Sequence, residues 1–187
     1  MRPPGHPALA AFGTTIFAEM SALALEHDAI NLGQGFPDTD GPAEVLHAAI
    51  SAVRGGRNQY PPGAGVPELL EAIAAHQQRF YGVVVDPGAD VLVTVGATEA
   101  IAATILALVS PGDEVVTFEP YYDSYAATIA LAGGVRRTSV LRFPEFAVDE
   151  ASLRAAFSAR TRLVLLNTPH NPTGKVFTRA EIELICA

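Results

Sequence analysis

The apolar positions of this chain change rhythm near residue 91. Before that point they recur at helical spacing; after it, short apolar runs alternate with amphipathic ones. Residues 15–26 carry one helix-like patch within an N-terminal arm, 1–30. A loop rich in Gly, Pro and Asp runs from Asn31 to Pro42. Pro42 suits the first position of a helix reaching residue 53, because a helix start leaves its N–H groups unsatisfied anyway. A second Gly/Pro-rich loop, 54–65, leads to an amphipathic helix at 67–81. Beyond it, 91–95, 114–118, 135–140 and 162–166 read as strands, and 97–109, 121–131, 149–157 and 178 onward as helices. Strand–helix alternation of this kind predicts an α/β architecture, a mostly parallel sheet with helices on both faces. The chain stops inside its last helix with neither cap nor turn, as expected of a truncated chain or of one half of a two-chain protein.

Composition narrows the function classes. Hydrophobic residues make up 49% and charged ones 17% of the 187 residues, and mean hydropathy is +0.26. A buried sheet, or a piece parted from its covering partner, would be this oily. The net charge of −8 argues against a nucleic-acid partner and against an anionic membrane surface. The stretch 91–109 is apolar enough to suggest a membrane span, but Gly96 and Glu99 interrupt it and a strand–turn–helix accounts for it better. No membrane contact is expected. The N-terminus lacks the basic-then-apolar order of a signal peptide, and the single cysteine, Cys186, suits a reducing cytoplasm. Lys175 is the single lysine among 12 basic residues, so chemistry that needs an amine has one candidate here.

Three candidate sites stand at predicted strand ends. Ligands of doubly wound sheets bind at the carboxyl ends of strands, where helix N-termini aim N–H groups outward. Gly96-Ala97-Thr98 follows the 91–95 run: a glycine there admits a phosphate and the Thr98 hydroxyl adds a donor, or the three residues are an ordinary turn. Tyr121, Tyr122 and Tyr125 follow the next strand and can stack on a flat ring or simply pack. Asn167 to Lys175 contains two prolines and a glycine, which hold Asn171 rigid as an amide donor or merely make a good turn. No residues are assigned to a metal. Neither Gly-x-Gly-x-x-Gly nor a Walker pattern follows the first strand, against a nucleotide-binding domain.

Five segments in order resemble the class I/II aminotransferases of fold type I. They are Asn-Leu-Gly-Gln-Gly-Phe-Pro-Asp (31–38), Asn-Gln-Tyr (58–60), Thr-Val-Gly-Ala-Thr-Glu-Ala (94–100), Glu-Pro-Tyr-Tyr-Asp-Ser-Tyr (119–125) and Asn-Thr-Pro-His-Asn-Pro-Thr-Gly (167–174). The chain is most similar to the kynurenine–glutamine transaminase and N-succinyldiaminopimelate aminotransferase branch. The resemblance implies an incomplete pyridoxal 5'-phosphate-binding large domain at 41–187, preceded at 1–40 by an N-terminal arm and part of the small domain. It implies amino acid and 2-oxo acid substrates, with a carbon–sulfur β-lyase as the alternative, and a cytoplasmic homodimer.

It also implies roles. Gly96, Ala97 and Thr98 would hold the cofactor phosphate, Tyr122 would stack on the ring, and Asn171 would bond the ring's phenolic oxygen. Tyr60 would reach the neighbouring subunit's phosphate, while Gly35 and Phe17 would face the substrate. The family's reactive lysine, its aspartate at the pyridine nitrogen and its carboxylate-binding arginine would all lie downstream, and Lys175 is not expected to replace the lysine. These strands would be the first four of a longer sheet: 91–95 at an edge without its neighbour, 162–166 separated from the other two by an absent strand. Such a sheet is not expected to be stable alone.

Overall fold

The structure, a computed structural model, describes residues 5–35, 37 and 39–187. Residues 1–4, and Phe36 and Asp38 of the 31–38 segment, lie outside that description. Two compact units result, Ile16–Val95 and Met1–Thr15 with Gly96–Ala187.

The Ile16–Val95 unit is helical. It holds α1 (Ile16–Glu26), α2 (Ala43–Arg54) and α3 (Pro67–Tyr81). Pro42 is the N-cap of α2 rather than its first residue, with extended backbone. Pro67 opens α3, and Gly82 ends it in the left-handed region at φ +69°, where a Cβ would be strained. Little is buried here: Leu70 of α3 is the buried apolar residue of the three helices.

The predicted strand 91–95 does not form. Within it the Val93 N–H donates to the Ala64 carbonyl at 2.9 Å. A strand is maintained by a ladder, and no neighbouring strand is present among the described residues to supply one.

The second unit carries the sheet. It comprises α4 (Gly96–Leu108), β1 (Glu114–Glu119), α5 (Ser124–Leu131), β2 (Val135–Val140), α6 (Glu150–Ala156), β3 (Thr161–Leu165) and α7 (Arg179–Cys186). The strands are parallel in the order β2-β1-β3. This corrects the expectation that the last strand would be parted from the others by an absent one, since β3 pairs directly with β1, Val115 opposite Leu163 and Val116 opposite Val164.

Strand periodicity explains the layers. Val115, Leu163 and Leu165 face α4 and α5, packing with Ile105, Val109 and Ile129. Phe118 and Val164 face the other way, among Leu153 of α6, Phe177, and Ile182 and Ile185 of α7. Helices therefore cover both faces. All but the last residue of β1 is buried, whereas β2 is mostly exposed at an edge and carries Arg136 and Arg137, charges that discourage edge pairing.

Candidate functional site

The carboxyl ends of β1 and β3 lie side by side, so the loops that follow them share one edge of the sheet. After β1, Tyr121, Tyr122 and Tyr125 are half-buried. The Tyr122 and Tyr125 rings meet edge to face, 5.8 Å between centroids. Burial and the neighbouring Tyr122 raise the Tyr125 phenol above its usual range, so it stays protonated near neutrality. The Tyr122 hydroxyl reaches the Thr98 hydroxyl at 3.3 Å.

That contact brings the head of α4 to the same edge. Gly96 opens the helix at φ +73°, and nothing lies within 4 Å of where its Cβ would be. Backbone N–H groups of a helix's first turn have no intrahelical acceptors and carry the positive end of its dipole. With the exposed Thr98 hydroxyl they form a donor set suited to a phosphate.

After β3 the chain folds into a tight turn. The Asn171 N–H donates to Asn167 Oδ1 at 2.8 Å, while the Asn171 side chain is exposed with no partner among the described residues. His170 beside it is buried, its Nδ1 2.8 Å from Thr173 Oγ1. Burial pushes the imidazole below its ordinary pKa; a bond to the Phe118 backbone opposes this, and the Lys175 charge adds to it. His170 is therefore a neutral packing residue near pH 7.

The Lys175 ammonium lies 2.8 Å from Glu181 Oε1. Burial disfavours a charged Glu181, but Lys175 first, then the Thr178 and Val148 backbone, hold its pKa down to about 2. Thr178 and Glu181 form a reciprocal cap of α7. The Thr-x-x-Glu spacing was a local signal for this cap; nothing local pointed to its bond with Lys175.

The structure thus joins Gly96, Ala97, Thr98 and Tyr122, with Asn171 at the same sheet edge. Tyr60, Gly35 and Phe17 belong to the other unit: Tyr60 is 100% exposed, Gly35 is exposed, and Phe17 is half-buried on α1. Sequence patterns also gave no hint of the cluster at the opposite end of the sheet. There the buried Glu114 accepts from Ser158 Oγ at 2.6 Å and Arg160 at 2.7 Å.

A family model for aminotransferase class I and II matches residues 27–187. The chain belongs to this family. Members of it use pyridoxal phosphate, and the donor set at the head of α4 fits such a group. The probable N-succinyldiaminopimelate aminotransferase of Mycobacterium tuberculosis is 54% identical over 177 residues, covering 93% of this chain and 44% of that protein. Methionine aminotransferase of Escherichia coli is 53% identical over 169 residues, covering 90% and 44%. The solved N-succinyldiaminopimelate aminotransferase from M. tuberculosis superposes with a TM-score of 0.92 at 53% identity, covering 97% of this chain and 48% of that one. The chain therefore spans less than half the length of these relatives, and its three-stranded sheet is an incomplete fold type I sheet.

Proposed function

We propose that the protein to which this chain belongs transfers amino groups between an amino acid and a 2-oxo acid with pyridoxal 5'-phosphate. The observation that supports this is the meeting of Thr98 and Tyr122 at 3.3 Å, which brings the head of α4, a donor set suited to a phosphate, beside an aromatic ring. Bound, the cofactor supplies an electron sink for negative charge at the substrate's α-carbon. Gly96, Ala97 and Thr98 hold its phosphate, Tyr122 covers one ring face, and Asn171 donates to the phenolic oxygen. Tyr60 serves the phosphate of a two-fold-related subunit from its exposed loop. Gly35 and Phe17 border the substrate.

Neither Lys175 nor His170 is assigned the transfer of the substrate's proton. Lys175 is held by Glu181, and His170 is buried and neutral. Residues 1–40 supply an arm and part of the small domain, and 41–187 the first part of the large domain, of a cytoplasmic homodimer. The two relatives compared above are named for different amino donors, so the substrate class is left at amino acids.

In the whole protein, amino-group exchange should depend on added pyridoxal phosphate, and Asn171→Ala should raise the concentration required about tenfold or more. Exchange independent of the cofactor would refute the proposal. In the chain alone, borohydride reduction after cofactor addition should leave Lys175 unmodified; a stoichiometric adduct there would show that its amine is available after all.

A further inference from the structure

The lone lysine is bound into the framework of the Asn171 turn at both its backbone and its side chain. Its carbonyl accepts from the His170 N–H at 2.8 Å, and its own N–H donates to Thr173 Oγ1 at 3.3 Å. Within the same turn the Gly174 N–H donates to the His170 carbonyl at 2.7 Å. The Lys175 side chain, 10% exposed, then runs to Glu181 at the head of α7. Its ammonium also lies 5.2 Å from the centroid of the buried Phe177 ring.

Glu181 is a shared anchor. Its Oε1 accepts from the Val148 N–H at 3.1 Å as well as from Lys175, and its Oε2 from the Thr178 N–H at 2.9 Å and the Thr178 hydroxyl at 3.0 Å. One carboxylate thus ties together the Asn171 turn, the N-cap of α7 and the segment before α6. An exposed ion pair would contribute little, but one largely withdrawn from water leaves an uncompensated charge when a partner is removed.

We infer that Lys175 and Glu181 act as a clasp that positions Asn171 for the cofactor's ring oxygen, so that the lone lysine is a positioning residue and not an amine reagent. This rests on the proposed role of Asn171. A donor fixed before binding loses less freedom on binding than one on a loose turn. The backbone of the turn is closed around His170, and the Phe177 N–H donates to Thr168 Oγ1 at 3.2 Å across its ends. The side-chain bond from Lys175 to Glu181 adds a tie from this turn to the head of α7.

A double-mutant cycle in the whole protein to which this chain belongs tests this, with pyridoxamine 5'-phosphate as the probe because it forms no bond to a reactive lysine. Asn171→Ala and Lys175→Met should each weaken binding about tenfold. The double variant should bind no worse than Asn171→Ala alone, because Lys175 acts through Asn171. Lys175→Arg, which keeps the charge, should stay within about threefold of the parent. Glu181→Gln should behave like Lys175→Met and replaces it in the cycle if that variant does not fold. Independent losses, about a hundredfold in the double variant, would overturn the clasp, as would an unchanged affinity for Lys175→Met. Failure of the whole parent protein to bind the probe would instead remove the proposed function, and the clasp with it.

Discussion

Thr98 and Tyr122 stand hydroxyl to hydroxyl at 3.3 Å, joining the first turn of α4 to the loop after β1 across 24 residues of sequence. Either oxygen can donate, so the Thr98 hydroxyl can turn from Tyr122 to a phosphate oxygen without its side chain moving. Thr98→Val keeps the branched shape and deletes the donor. We expect it to weaken pyridoxamine 5'-phosphate binding about tenfold and Thr98→Ser to restore it, measured by equilibrium dialysis. Equal affinity in Thr98→Val would remove Thr98 from the phosphate site.

Glu114 gives the fold an acid-sensitive point. The Ser158 hydrogen bond lowers its pKa most; burial pushes the other way, and Arg160 and Arg137 restore the balance towards the charged form. Its folded pKa thus lies below the ordinary value of 4.5. The stabilisation is complete above that value and is lost as pH falls through the folded pKa. The parent should become less stable from about pH 5 to about pH 3, the carboxylate range, more steeply than Glu114→Gln, which should be the weaker protein at about pH 7. Denaturant midpoints across that interval check this, and parallel acid limbs would contradict it.

Among the described glycines of the Ile16–Val95 unit, Gly65 leaves the least room for a Cβ. At φ +114°, a Cβ there would stand 2.7 Å from Val93 Cγ2. Gly65→Ala should cost about 2 kcal/mol through backbone strain and overpacking. Gly63→Ala, with nothing within 4 Å, should change stability by less than about 0.5 kcal/mol. Denaturant unfolding of both variants decides the matter; equal effects would mean that the close approach to Val93 relaxes freely.

Hydrogen exchange should separate the true strands from the one that did not form. β1 is paired on both sides, so the Val116 amide should be among the slowest in the chain. Leu92 lies outside any ladder and is well exposed, so its amide should exchange with the loops. Comparable protection of Leu92 and Val116 would show that 91–95 acquires a strand partner in solution, for instance from a second copy.

The sequence by itself determined the helices, β1, β2 and β3 to within a few residues, and the five ordered segments that mark the family. Those signals are local: a repeat of two or 3.6 positions and a proline at a helix start. Tertiary structure decided the rest. An apolar, β-branched run at 91–95 has strand propensity, but propensity does not supply hydrogen-bond partners, so it remains outside the sheet. The placement of β3 beside β1 follows from matched apolar faces and from Arg160 reaching Glu114 across 46 positions. Lys175 reads locally as the end of a Pro/Gly turn; only the packing of α7 beneath Phe118 and Val164 brings Glu181 to its amine. Local periodicity fixes what each segment can bury, whereas pairing between distant segments depends on which partners the folded chain places within bonding distance.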